Sequence, residues 1–537
     1  MRDTLYPGYN RGLDLASMRL SQLIAALPHG VLPPGGDPEI TGVTQDSRLV
    51  TPGNVFVACT GGTADGYTFI PRAVEAGAAA VVGERGQGAA GVPYLRVANS
   101  RQALGLLSAA WFGFPSRSLI MIGVTGTDGK TTTVSLIFNI LRRAGFRTGM
   151  IGTVGAVIGG EELDTGFHVT TPDSPALQAY LARMTAAGLT HCVMEVTSHG
   201  LAQQRVAGCD FDFAAVTNIT HEHLDYHGTF ETYRAVKAGL FSGLGSAPPK
   251  EAVRERAAVL NADDPSYAYL RGQTAVKVVT YGRRRAADVS AKDIRLSADG
   301  LRMTLKLPER ELPLRCSLRG AYNADNILAA MAVCIAGMGI DPQTAVDAVA
   351  EMPGVPGRWE TIALGQDFQA VVDFAHTPNS LRHTLETARE IAGDGRVIAV
   401  FGAAGLRDRE KRSLMAATGV ELAAVTILTA EDPRTEALEE ILEEMAAGAR
   451  SRGGVEGKTF VRVPDRGEAL RFAVRSARKG DVVIACGKGH EQSMCFGEVE
   501  YPWDDRQAMR AVLAERLGIA GPELPQLPTS PSLKEES

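Results

Sequence analysis

The chain has 537 residues, 45% hydrophobic and 22% charged, a composition that excludes disordered, collagen-like and coiled-coil classes and, at about 150 residues per domain, allows three to four domains. Its 55 basic and 61 acidic side chains leave a net charge of −6, so no global positive field is available to hold a nucleic-acid backbone. Seven cysteines with no Cys-x-x-Cys pair indicate reduced thiols in a cytoplasmic protein and exclude a disulfide framework.

The first seventeen residues are polar, with no apolar signal core, and no later stretch approaches the length of a membrane span, so neither secretion nor membrane insertion is expected. Beyond them, short apolar runs alternate with helix-period segments, the pattern of an α/β protein built on parallel sheets. The runs are LIMIGV (119–124), HCVMEV (191–196), FAAVTNI (213–219), AVVDF (370–374), VIAVFG (397–402), VTILTA (425–430) and DVVIACG (481–487). Each is followed by Gly, Ser, Thr, His, Asp or Glu, and in open α/β sheets ligands bind beyond the carboxyl ends of the strands. Between the two groups, AVKVVTYG and LRMTLKL read as antiparallel strands ahead of a helix in NADNILAAMAVCIAGMG. Boundaries near 115 and 355 then give domains at 18–115, 116–354 and 355–519, with GVPGR (354–358) as the second linker and a disordered Pro-rich tail at 520–537.

At 123–133 the sequence reads GVTGTDGKTTT, directly after an apolar strand and before VSLIFNILRRAG. Strand, Gly-rich turn, Lys, Thr and helix form a phosphate-binding arrangement. The loop Thr125, Gly126, Thr127, Asp128, Gly129 lets backbone N–H groups converge on phosphate oxygens, Lys130 supplies a point charge, and the Thr131 hydroxyl, followed by Thr132, can ligate Mg²⁺. Val124 stands where the usual pattern has Gly. ATP-type nucleotide binding follows.

Four histidines, His199, His221, His223 and His227, lie within one short stretch, but without cysteines or tetrahedral spacing zinc is a poor fit. Mg²⁺ on a nucleotide prefers oxygen ligands, which favours Glu195 at a strand end, with His223 beside it. Taken singly, Glu195 reads equally as a helix cap and His223 as a structural residue. Lys237, in TYRAVKAGLFS, reads by default as a surface lysine with a buried stem. A desolvated lysine can instead lose its proton and take up carbon dioxide, and the carbamate would offer an oxygen ligand.

Taken in order, VTGTDGKTTT, MEVTSHGLAQQRV, TNITHEHLDYHGTFETYRAVK, DFAHTPNSL, RDREKR, EDPR and GKGHE resemble the motifs of the Mur ligases, and specifically those adding the third amino acid to the peptidoglycan precursor. The resemblance runs from about residue 18 to 519 and includes QDSRLVTPGNVFVAC and ADGYTFIPRAVEAGAAAVV, which look like a UDP-sugar domain. It implies three domains: a smaller N-terminal α/β domain, a central P-loop ATPase-like domain with a parallel sheet and a C-terminal Rossmann-like domain. It also implies a monomer acting on small molecules by ADP-forming amide synthesis through an acyl phosphate. Lys130 and Mg²⁺ would stabilise the transferring phosphoryl group, with Thr131 and Glu195 around one ion and His223 and carbamylated Lys237 around another.

By the same resemblance Ser47, Thr170, Thr171, Thr197, Gln203 and Arg205 would hold UDP-MurNAc-L-Ala-D-Glu. Asn323, Asn326, Arg358, Asp373 and His376 would contact ATP, although the two asparagines read equally well as helix caps. Arg407, Glu431, Asp432, Pro433, Arg434, Gly487 and Glu491 would form the pocket for the incoming amino acid. Val169 replaces an Asn before the threonine pair, Ala403, Ala404 and Leu406 replace a Cys-Gly-Gly-Asp-like loop, and Glu431-Asp432 replaces Asp-Asn. Arg434 and Arg407 favour a distal carboxylate, as in meso-diaminopimelate. The added charge of Asp432 argues for a bare ammonium, as in lysine or ornithine. A folylpolyglutamate synthase-like ligase and a non-catalytic nucleotide-binding scaffold are the alternatives. The N-terminal segment argues against the first, and the presence of Lys130, Glu195, His223 and Lys237 against the second.

Overall fold

The computed structural model describes residues 16–61, 65–86, 91–163, 170–220, 224–297 and 300–531. They separate into two compact units. The first comprises the chain up to Thr220 with Phe230–Asp288 and Ala329–Ala345; the second comprises 224–229, Val289–Leu328 and the chain from Val346 onward.

The first unit opens with a four-stranded parallel sheet, Gly42–Thr44, Asn54–Val57, Ala80–Gly83 and Tyr94–Arg96. Both faces are covered: Val55 and Val57 pack with Leu104, Leu107 and Trp111 of the helix Ser100–Trp111, whereas Phe56 and Val81 pack with Ala73 on the other side. Side chains alternate between faces, so a strand covered on both reads as a continuous apolar run.

The unit's main sheet has the order Glu161–Leu163, Gly155–Ile158, Thr148–Gly152, His191–Glu195, Ile120–Thr125, Phe213–Val216, Ala257–Asn261, Lys277–Gly282. Its six strands from Thr148–Gly152 to Lys277–Gly282 are parallel. The antiparallel reading of AVKVVTYG is thereby corrected. This strand exposes Lys277 and buries Val279 and Tyr281, an alternation that mimics a hairpin strand in sequence. The helix Lys130–Arg143 buries Val134, Ile137, Ile140 and Leu141 and stops before Gly145, whose φ of 86° is left-handed.

The second unit begins with an antiparallel meander, Val289–Ser297, Gly300–Lys306 and Glu311–Cys316, the pairing expected for LRMTLKL. The helix Asn323–Met331 follows and runs on as a π-helical turn over Ala332–Gly337. A second sheet has the order Glu360–Ile362, Gln369–Asp373, Val482–Cys486, Val397–Phe401, Val425–Leu428, Phe460–Arg462, parallel except at Glu360–Ile362. Its central strands are buried throughout.

The Pro-rich tail is not disordered over its described part. Leu527 is fully buried in the core of this sheet, Leu524 lies against Gly467, and Thr529 and Ser530 donate to the Asp465 carboxylate at 2.8 and 3.0 Å. A few apolar residues among the prolines are enough to dock it.

Candidate active site

The phosphate loop lies between the strand Ile120–Thr125 and the helix Lys130–Arg143, whose N-cap is Gly129 at φ 81°. With no side-chain cap there, the helix's first N–H groups remain available to an anion. Val124 belongs to the buried strand and pairs with Glu195 and Ala215. The positive φ the turn requires falls instead at Gly126, where a Cβ would lie 1.8 Å from Thr217 Oγ1. Asn218 and Thr217 fix the loop: Asp128 N–H donates to Asn218 Oδ1 at 3.1 Å and Thr217 Oγ1 donates to the Asp128 carbonyl at 2.6 Å.

Two lysines converge on one carbonyl. Lys130 Nζ donates to Gly126 O at 3.1 Å and to Thr127 O at 2.8 Å, and Lys237 Nζ donates to Gly126 O at 2.7 Å. Lys237 is buried, not a surface lysine, and lies 4.7 Å from the centre of the Tyr233 ring. Tyr233 is itself within 3.0 Å of Thr127 Oγ1. His223 lies outside the described residues, as does Val169.

Glu195, at the end of its strand, is buried and central to a chain of hydroxyls. Its carboxylate accepts from Thr131 Oγ1 at 3.1 Å, from Thr153 N–H at 2.9 Å and from Thr153 Oγ1 at 3.0 Å, and Thr153 Oγ1 in turn meets Thr170 Oγ1 at 3.1 Å. Thr171 Oγ1 donates to the Glu195 carbonyl at 3.0 Å and lies 3.0 Å from Thr197 Oγ1. Arg205 donates to the Thr171 carbonyl at 2.7 Å and to Gln203 Oε1 at 2.8 Å. The structure therefore brings Thr131, Glu195, Thr170, Thr171, Thr197, Gln203 and Arg205 into one network. Thr153 escaped sequence reasoning; its signal is the Gly-Thr-Val-Gly turn closing the strand Thr148–Gly152.

Ser47 lies in the wall of a cavity of about 830 Å³ that also takes in Gln45, Asp46, Arg48 and Asp173. Asp173 caps the helix Ser174–Ala186 and receives Gln45 Nε2 at 3.5 Å. Burial holds its carboxyl above the ordinary range, opposed by its hydrogen bond from Ala176 N–H and by the charge of Arg205.

In the second unit, Asn323 and Asn326 are buried and bonded to one another at 2.8 Å, with Asn323 Nδ2 donating to the Arg319 carbonyl at 2.6 Å. The Asp373 carboxylate braces the turn after its strand, accepting from Trp359 N–H at 2.7 Å, Ala375 N–H at 2.8 Å and Thr384 Oγ1 at 3.2 Å. The Arg358 guanidinium stacks 4.4 Å from the Phe374 ring centre. His376 Nδ1 is 3.0 Å from the Phe374 carbonyl, and burial pushes its pKa down to about 3.

The pocket expected for the incoming amino acid gathers at the ends of Val425–Leu428 and Val482–Cys486. Glu431 is buried, and among the described residues its Oε2 accepts no hydrogen bond. Gly487, at φ 108°, leaves room for it, since a Cβ there would lie 2.2 Å from that oxygen. Arg434 sits in the left-handed region at φ 54°, and among the described residues its guanidinium makes no hydrogen bond or ion pair. Asp432 differs. Its two oxygens lie 3.0 and 3.1 Å from Lys488 Nζ, which also contacts Glu491 at 2.6 Å, and Cys495 N–H donates to it at 2.9 Å. Asp432 is thus paired internally with Lys488, which weakens the sequence argument that it would repel a substrate carboxylate.

The altered loop stays attached through Gly405 N–H to the Asp432 carbonyl at 3.0 Å, with Arg407 exposed at its end. Pro433 fixes the turn between Asp432 and Arg434. Lys488 and Arg466, which contributes a hydrogen bond to each of the Ala430 and Cys486 carbonyls, were not anticipated, because Asp432 and these carbonyls lie far from them along the chain.

Three segments match family models: 39–112 the Mur ligase family catalytic domain, 124–334 the Mur ligase middle domain, and 357–489 the Mur ligase glutamate ligase domain. The chain is 42% identical over 501 residues to the UDP-N-acetylmuramoyl-L-alanyl-D-glutamate–2,6-diaminopimelate ligase of Geobacillus thermodenitrificans, spanning 93% of this chain and 100% of that one. It is 43% identical over 515 residues to the UDP-N-acetylmuramyl-tripeptide synthetase of a Roseiflexus species, spanning 94% and 100%. A solved structure of a UDP-N-acetylmuramoyl-L-alanyl-D-glutamate–2,6-diaminopimelate ligase superposes with a TM-score of 0.65 at 30% identity, covering 94% of this chain and 100% of that one. With the phosphate loop, the threonine–glutamate network and these matches together, the chain belongs to the Mur ligase family.

Proposed function

We propose that the protein joins meso-diaminopimelate to the D-glutamate of UDP-MurNAc-L-Ala-D-Glu at the expense of ATP, as a cytoplasmic monomer. The observation that carries the amino acid is the tetrapeptide Glu431–Arg434: among the described residues one buried carboxylate oxygen accepts no hydrogen bond and one guanidinium makes no hydrogen bond or ion pair, while Asp432 between them is paired with Lys488. A carboxylate oxygen and a guanidinium left open in this way match the ammonium and carboxylate at the far end of diaminopimelate; lysine would leave Arg434 unmatched.

In the first unit, the loop N–H groups and Lys130 take the triphosphate. The D-glutamate γ-carboxylate oxygen bonds to the γ-phosphorus as the bond to the β–γ bridging oxygen breaks, releasing ADP. The incoming amine then attacks the acyl carbon, loses a proton and expels phosphate. Thr171, Thr197, Gln203 and Arg205 orient the muramoyl dipeptide, and Ser47 lies in the cavity suited to the uridine end. Asn323, Asn326, Arg358, Asp373 and His376 serve the nucleotide.

Thr131 Oγ1 and Glu195 Oε2, hard oxygens 3.1 Å apart, suit Mg²⁺. The ion would neutralise charge on the phosphates. A carbon dioxide-derived carbamate on Lys237, together with His223, would add an anionic ligand set. The test is ADP release from purified protein given ATP, Mg²⁺ and UDP-MurNAc-L-Ala-D-Glu, with diaminopimelate, lysine, ornithine or a folate in parallel. Turnover should require the UDP-dipeptide and be fastest with diaminopimelate. Turnover on folate alone, or preference for lysine, would overturn the proposal.

A further inference from the structure

We infer that Lys488 is a specificity-determining residue: by neutralising Asp432 it keeps Arg434 available for a carboxylate on the incoming amino acid. The inference rests on the diaminopimelate reading above.

Lys488 follows the strand Val482–Cys486, and its side chain is fully buried. Its ammonium spans Asp432, at 3.0 and 3.1 Å, and Glu491, at 2.6 Å. Burial pulls this amine toward neutrality, but the two carboxylates outweigh it and hold it above the usual lysine range. Asp432 is also held in the left-handed region, at φ 41°, where a non-glycine residue needs such tethers.

One ammonium is here shared between two carboxylates. Losing Lys488 makes the cluster one charge more negative, and the cation in the same tetrapeptide is Arg434, two residues from Asp432. An Arg434 drawn to Asp432 is lost to substrate, and the added negative charge favours a bare ammonium in the pocket. Without the charge of Asp432, by contrast, Lys488 and Glu491 balance and the pocket becomes more welcoming to a carboxylate. The two single changes should therefore move selectivity in opposite directions, whereas a purely structural role would lower turnover of both amino acids and leave their ratio fixed.

The experiment uses the full-length enzyme with ATP, Mg²⁺ and UDP-MurNAc-L-Ala-D-Glu, and measures kcat/KM for meso-diaminopimelate and for L-lysine. Lys488→Met should lower the diaminopimelate-to-lysine ratio by about 10-fold or more, and Asp432→Asn should raise it by about 3-fold, the range expected for one charge in a partly buried site. The double variant should return to within about 3-fold of wild type. Should Lys488→Met fail to fold, Asp432→Asn and the double variant carry the test. Ratios that move the same way in both single variants, that do not move, or that fall in Asp432→Asn overturn the inference. A wild-type enzyme that prefers lysine overturns the substrate reading instead.

Discussion

Replacing Arg466 with methionine should destabilise the second unit and weaken its hold on the incoming amino acid. The guanidinium is fully buried and donates to both Asp505 oxygens at 2.7 and 2.6 Å, to the Ala430 carbonyl at 3.2 Å and to the Cys486 carbonyl at 2.8 Å. Methionine replaces the stem and none of the donors. Asp505 would keep its hydrogen bond from Trp503 Nε1 at 2.8 Å but lose its counter-charge. Removing one member of a buried ion pair costs about 3–5 kcal/mol, against a total of roughly 5–15 kcal/mol for a typical domain. Urea unfolding followed by tryptophan fluorescence measures it, and a loss below about 1 kcal/mol would refute the reasoning, since the unpaired carboxylate alone should exceed that. The double variant Arg466→Met/Asp505→Leu should be more stable than Arg466→Met, because the penalty is that of an orphaned charge. Ala430 and Cys486 immediately precede Glu431 and Gly487, so KM for the amino acid should rise while KM for ATP holds.

Three other outcomes are expected. Lys237→Ala should nearly abolish ADP release, with partial recovery in bicarbonate or a small carboxylate; full activity in the plain variant would show that no carbamate is needed. His191 is buried against Phe146, and burial lowers its pKa from 6.5 to about 4. Its stabilising contribution is complete above about pH 6.5 and is lost as pH falls toward 4, because the unfolded chain binds the proton first. Between pH 7 and pH 5 the stability of wild type relative to His191→Phe should therefore fall by about 2 kcal/mol, a shift of roughly 1.5 pH units at 1.36 kcal/mol each; a pH-independent difference in denaturation would contradict this. Truncation after Ala520 removes buried Leu527 and both hydroxyl contacts to Asp465. It should cost about 2–4 kcal/mol, from burial of one leucine and two hydrogen bonds, and an unchanged melting temperature would show the docking to be incidental.

The strands were legible because buried parallel strands are apolar at every position, as in Val397–Phe401, and the phosphate loop because its chemistry is contiguous in sequence. Lys277–Gly282 misled because its exposed and buried positions alternate as a hairpin's do. Lys488 with Asp432, Arg466 with Asp505 and Thr153 with Glu195 were invisible for a different reason. Each is a pair of unremarkable polar residues separated by tens of positions, and only the strand order brings them together. Asp432 shows the consequence: its charge was visible in the sequence, its neutralisation was not.

The strand Ile120–Thr125, which ends in the phosphate loop, pairs with His191–Glu195 on one side and Phe213–Val216 on the other. During synthesis it leaves the ribosome about 70 residues ahead of its first partner, an interval of roughly 4–14 s at 5–20 residues per second. Its apolar edges stay unpaired throughout, whereas Thr148–Gly152 pairs at once with Gly155–Ile158 on one edge and waits with the other for the same partner. The arrival of residues 191–195 thus joins two waiting strands at once, and the folding yield of the nucleotide-binding sheet should depend on how well the nascent chain is shielded until then.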